Sequence, residues 1–250
     1  MAEVSHLEST TYLIIYPKDR RSEFAGKDPN LNQITTILFA SKLDYILRYD
    51  RNRSKRTEIV TKQDIANLER RFLTRINYGA LDVLRLKVVD PIGLHSAILR
   101  HLTDKHPRIK FLELAYEGPA SAVLLGRLVQ QNVINYMYMH GGWPPERTTP
   151  LVEALIPQRQ LRKLHCCVRM HLSESCLTSF VANWCEDNSP EEKDVTIWGL
   201  QTLPLNNGVY RHMNLKDQLY VDVNSRYTRL KFSHFIDCNV KFLVRRYVKW

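Results

Sequence analysis

The chain has 250 residues, 44% of them apolar and 10% aromatic, which is ample for a core in one domain or two. Its formal charge is +10, and no stretch approaches the roughly 18 uninterrupted apolar residues of a membrane-spanning helix. Met1–His6 lacks a basic segment followed by an apolar one, so no secretory signal is expected. Five cysteines without a C-x-x-C pair read as reduced, mostly buried thiols of an intracellular protein, in cytoplasm or nucleus.

Taken in order, Thr11–Tyr16 (TYLIIY) predicts a strand stopped by Pro17, since proline removes a ladder donor. From Leu31 to Tyr49 apolar residues fall at helical spacing (Ile34, Ile37, Leu38, Tyr45, Ile46), with Asp28 or Asn30 placed to cap. A second helix is expected over Lys62–Ile76, with Ile65, Leu68, Phe72 and Leu73 on one stripe and Gly79 suited to close it. Residues 1–78 are thus expected to be a mainly helical N-terminal region, a degenerate cap on the rest of the chain.

Residues 79–250 repeat one pattern, apolar-x-x-apolar-x-apolar. It occurs at Leu81/Leu84/Leu86, Ile109/Leu112/Leu114, Val133/Tyr136/Tyr138, Leu161/Leu164/Cys166, Val195/Trp198/Leu200 and Tyr227/Leu230/Phe232. The middle positions are about 28, 24, 28, 34 and 32 residues apart, near the leucine-rich-repeat period. Helices are expected at Pro91–Leu102, Pro119–Gln131, Thr149–Ile156 and Ser173–Trp184, the prolines standing where a first turn tolerates them. A single strand–helix unit cannot bury both its elements, whereas stacked units share a core, so the expected fold is α/β. It is a leucine-rich-repeat-like solenoid of about six irregular repeats, parallel strands backed by helices. Leu161–Trp184 also aligns without gaps on Tyr227–Trp250 at an offset of about 66 residues, each copy read as a strand followed by a helix closing on tryptophan. Asn206-Asn207-Gly208 marks a turn, as a hairpin or an inserted loop.

Strand alternation then selects the residues that show. With Leu84, Leu86, Leu112, Leu164 and Tyr138 inward, the concave face is expected to carry Arg85, Lys87, Glu113, Met137, Met139, His165 and Lys231 as protein-binding positions. Lys163, Ile197, Gly199, Gln201 and Arg229 fall on the same expected face. Basic clusters at Arg51/Arg53/Lys55/Arg56 and over Arg226–Lys249 make nucleic acid the alternative partner, against the plainer reading of solvated basic faces.

Chemistry is harder to find. His165-Cys166-Cys167 with His171 and Cys176 has metal-ligating residue types, but Cys166 occupies a buried repeat position and Cys176 the apolar side of a helix. Gly141-Gly142-Trp143-Pro144-Pro145 is a rigid turn without phosphate-loop spacing. No metal, cofactor or catalytic residue is expected, and the chain reads as a non-catalytic interaction scaffold.

Tyr227-Thr228-Arg229-Leu230-Lys231-Phe232, followed by Asn239-Val240-Lys241-Phe242-Leu243 and Trp250, with the earlier run from Leu161 through Phe180 to Trp184, carries a family likeness. It resembles the substrate-receptor regions of nematode F-box proteins with F-box-associated or leucine-rich-repeat-like C-terminal domains. The likeness covers about 170 residues and implies substrate recognition for a ubiquitin ligase. It departs from the family in that Met1–Tyr78 lacks the leucine–proline opening of an F-box, so docking to a cullin-ligase adaptor is an implication of the resemblance alone. Trp250, inside the last expected helix, reads as an array cut short.

Overall fold

Four segments share a three-residue core: Leu81/Leu84/Leu86, Ile109/Leu112/Leu114, Ile134/Met137/Met139 and Leu161/Leu164/Cys166, every side chain at 0% exposure. They belong to a computed structural model that describes residues 12–17, 34–40, 56–59, 78–79, 81–86, 94–203, 205–234 and 245–247. The fold is α/β, with parallel strands and intervening helices. It divides into two compact units, Met1–Arg127 and Leu128–Trp250. The division falls inside the 79–250 stretch that the repeat pattern joins as one region.

In the first unit, β1 (Tyr12–Pro17), β2 (Ile34–Ala40), β3 (Arg56–Ile59), β4 (Val83–Leu86) and β5 (Phe111–Ala115) lie in the order β5-β4-β2-β1-β3. β2, β4 and β5 are parallel, while β1 is antiparallel to both β2 and β3. Helix α1 (Leu94–Thr103) joins β4 to β5, the crossover that parallel neighbours require. Helix α2 (Pro119–Gln130) begins in this unit and ends in the next. The expectation of a mainly helical N-terminus is corrected here. Ile34–Ala40, expected within a helix, is a strand, because Ile34-Thr35-Thr36-Ile37 is a β-branched run whose stiff side chains favour extended backbone. The helix expected over Lys62–Ile76 lies outside the described residues.

In the second unit, β6 (Tyr136–His140), β7 (Lys163–Cys166) and β8 (Lys193–Trp198) are parallel, with α3 (Pro145–Leu155) and α4 (Glu174–Glu186) between them. Ser173 caps α4 by accepting the Cys176 N–H at 3.2 Å, as its sequence position predicts. Beyond β8 the chain changes habit. β9 (Gly208–Arg211), β10 (Asp217–Val223) and β11 (Tyr227–His234) form an antiparallel meander, and β11 pairs antiparallel to β8. Its turns are built by asparagines. The Asn214 carboxamide accepts from the Lys216 and Asp217 N–H groups at 2.9 and 3.1 Å, and Asn224 from Arg226 and Tyr227 at 2.9 and 3.1 Å.

The sixth repeat is therefore corrected: Tyr227–Phe232 buries Leu230 and Phe232 but leaves Tyr227 half-buried on the other face, and it runs antiparallel, with no helix between it and β8 among the described residues. Near the end, Arg245–Tyr247 is strand β12, parallel to β9, where the internal duplication required helix. The aligned residues 179–181 are helical, so the two copies differ in structure there. Among the described residues no helix is long and apolar enough to cross a membrane.

Helix α4 packs on the inner face of the second unit's sheet. Phe180 and Trp184 meet the Phe232 ring at centroid distances of 4.9 and 5.5 Å. Lys193, 7% exposed, donates to the carbonyls of Ile156 and Gln158 at 2.8 and 3.0 Å, closing the C-terminal end of α3. Burial lowers its ammonium pKa to about 8.

Candidate binding face

Registers in the second unit fix which side chains share a face. One set of rungs, Met137–Leu164–Val195–Leu230–Val221, is at most 1% exposed and points toward the core. The alternate rungs are Tyr136–Lys163–Asp194–Lys231–Tyr220 and Tyr138–His165–Thr196–Arg229–Asp222, with Trp198 opposite Tyr227 beyond them. These side chains lie on the opposite, open face. Tyr136, Trp198 and Tyr220 are 40%, 45% and 40% exposed and are the exposed large aromatics among the described residues, all on this one surface.

A hollow of about 750 Å³ opens on it, lined by Lys163, His165, Arg169, Asp194, Thr196, Trp198, Arg226, Tyr227 and Arg229. Gly199 shapes its edge. At φ +110° it takes a left-handed backbone, and a Cβ there would also meet the Met170 carbonyl oxygen at 3.4 Å. The chain thus turns sharply just after Trp198, and the Gly199 N–H donates to the Arg226 carbonyl at 2.8 Å. Beneath, the buried Gln201 carboxamide bridges two backbone groups, accepting from Leu172 N–H at 2.8 Å and donating to Met170 O at 2.7 Å.

The charges on the face are already ordered. Arg229 holds Asp194 through two bonds of 2.9 and 2.8 Å, and the Tyr227 hydroxyl donates to Asp222 at 2.9 Å. His165 stacks on Tyr138 at 5.9 Å, and the Lys163 ammonium sits 5.4 Å from the same ring. Burial, then the Lys163 charge, lowers the His165 pKa, favouring a neutral ring near pH 7. Arg169, Arg226 and Lys231 make no ion pair among the described residues.

Of the positions expected to bind, His165 and Lys231 stand on this open face. Met137 and Met139 do not. Both are fully buried, and Tyr138, expected in the core, is half-buried on the open side. Ile197 and Gln201 are likewise buried at 1% and 4%, while Trp198 is exposed. The cause in both strands is a one-residue slip, which exchanges the faces of every side chain. In the first unit Arg85 and Glu113 share a rung, with the Arg85 Nε 3.9 Å from the carboxylate and its guanidinium 4.3 Å from the Phe111 ring centroid. Glu113 is 5% exposed, so it is a buried partner of Arg85 more than a contact for another molecule. Lys87 lies outside the described residues.

Cys166 and Cys176 offer little to a metal or a nucleophile. Cys166 is fully buried, with its sulfur 4.0 Å from the Met139 and Met170 sulfurs, and burial pushes its thiol up to about 12. Cys176 is pushed up to about 11 by burial and by Glu153.

Sequence reasoning missed Trp198, Tyr136, Tyr220 and Arg169 as surface residues of one site. For Trp198 the signal was present: Asp194, Thr196 and Trp198 share a parity in β8, and a strand that places Asp194 outward places Trp198 outward too. Compared with known proteins, the chain matches no protein-family model, no curated protein and no solved structure.

Proposed function

We propose that the chain is a non-catalytic protein-interaction scaffold of leucine-rich-repeat type whose second unit presents the open face of its sheet to a protein partner. The observation that carries this reading is the gathering of Tyr136, Trp198 and Tyr220 on a face that also bears Arg169, Arg226, Arg229 and Lys231. Tryptophan, tyrosine and arginine are the residue types that dominate the energetics of protein–protein contacts. Large rings left in water beside a packed core are surface that a partner covers with gain. The four shared three-residue cores support the repeat reading, and the raised thiol pKa values of Cys166 and Cys176 speak against nucleophilic chemistry at those two cysteines. Substrate reception for a ubiquitin ligase, implied by the resemblance, is one form of this function.

The test is affinity capture from the native source with the wild-type chain and a Trp198→Ala/Lys231→Glu variant, quantified by mass spectrometry with and without nuclease. A specific protein retained by the wild type, resistant to nuclease and reduced at least about tenfold by the variant at unchanged melting temperature is expected. Equal capture by both chains would place the partner elsewhere.

A further inference from the structure

The hollow on the open face carries an inference that rests on the proposed scaffold function and makes it chemically specific. We infer that it receives an acidic segment of the protein partner, with glutamate or aspartate carboxylates meeting Arg169, Arg226 and Lys163 while Trp198 and Tyr227 cover the apolar part of the segment. The lining supplies four cationic side chains, Lys163, Arg169, Arg226 and Arg229, against one carboxylate, Asp194. That carboxylate is engaged by both of its oxygens with Arg229, which satisfies it and fixes the Arg229 fork. Arg169 and Arg226 take part in no ion pair among the described residues, so their guanidinium groups are available for bidentate bonds to an incoming carboxylate.

The same layout favours discrete anionic side chains over a nucleic-acid strand. A phosphate backbone presents charge continuously, whereas Asp194 of β8 and Asp222 of β10 stand among the cations on either side of β11. An acidic peptide can set its carboxylates against Arg169 and Arg226 and place neutral residues opposite the two aspartates. His165, stacked on Tyr138, provides a flat, largely uncharged wall for those neutral positions. Charge complementarity of this kind contributes to association rate and partner choice.

The test uses fluorescently labelled poly-glutamate and oligothymidylate, titrated against the full chain over a salt series by anisotropy. Poly-glutamate is expected to bind, to weaken as salt rises, and to lose at least about tenfold in affinity in Arg169→Glu/Arg226→Glu. A control with the same change in charge at two exposed residues that do not line the hollow, Lys105→Glu/Lys216→Glu, is expected to lose less than about threefold. Melting temperatures of both variants establish that each is folded.

Poly-glutamate binding that falls equally in the two variants would overturn the inference, because net charge and not the hollow would then govern it. Tighter binding of oligothymidylate than of poly-glutamate, lost in the hollow variant, would overturn it in favour of nucleic acid. If poly-glutamate fails to bind while the Trp198→Ala/Lys231→Glu variant still loses the native partner, the acidic-segment inference fails and the open-face reading stands. If the native partner is retained by that variant as well, both fail.

Discussion

Met137→Ala is expected to cost about 2–5 kcal/mol of folding stability, and Tyr138→Ala less than about 1 kcal/mol, although the two residues are neighbours in one strand. Met137 is at 0% exposure in the rung with Leu164 and Val195, so truncation leaves a cavity that packed neighbours fill only in part. Tyr138 loses its stack on His165 and its contact with Lys163, both at the edge of water, where such contacts contribute little to folding. Urea unfolding of the two variants measures the difference. The outcomes should reverse for binding, with Tyr138→Ala weakening partner capture. Equal destabilisation by both would mean that the strand is buried on its two faces and offers no binding surface.

Acid should weaken the protein through His95. This side chain is at 0% exposure, and burial lowers its pKa to about 3, against an ordinary 6.5. The unfolded chain takes up the proton near pH 6.5 and the folded chain only near pH 3. The stability tied to the neutral ring is therefore complete above about 6.5 and drains as pH falls toward 3. The Glu117 carboxylate lies 3.7 Å from the His95 Nδ1, and burial outweighs it in setting the lowered pKa. Between pH 7 and pH 4 the wild type should lose about 3 kcal/mol more than His95→Leu, at roughly 1.4 kcal/mol per unit of pKa difference. Parallel losses in the two chains would show that His95 accepts its proton without unfolding cost.

Much of the α/β alternation is legible in the sequence because it rests on two strong local signals. Leu84/Leu86, Leu112/Leu114 and Leu164/Cys166 alternate with polar or charged neighbours. Pro119 heads α2, Ser173 caps α4, and the observed helices fall at or within a few residues of their expected positions. What failed was parity where both faces are apolar. In β6 the set Val133/Tyr136/Tyr138 and the set Ile134/Met137/Met139 have the same spacing, so periodicity cannot choose between them. The chemistry of the side chains can: a tyrosine hydroxyl needs a partner or water, whereas a methionine thioether is buried without loss.

The antiparallel end was missed for a topological reason. A turn as short as Asn224–Arg226 between β10 and β11 cannot join parallel strands, and Asn224, which builds it, lies outside the asparagine turn expected from the sequence, Asn206-Asn207-Gly208. The binding face was hidden for the same reason. Trp198 comes from β8, Tyr220 and Tyr227 from the meander, and Arg169 from the loop after β7, so pairing across the sheet was needed to bring them together.

Hydroxyl-radical footprinting with mass spectrometry tests the open face most directly, comparing the free chain with its complex with the captured native partner. Trp198, Tyr220, Tyr227 and Tyr136 should lose most of their oxidation in the complex. Met213, 80% exposed at the turn between β9 and β10, should keep its own. Oxidation of the four aromatics unchanged by the partner, with protection on α3 or α4 instead, would contradict the account.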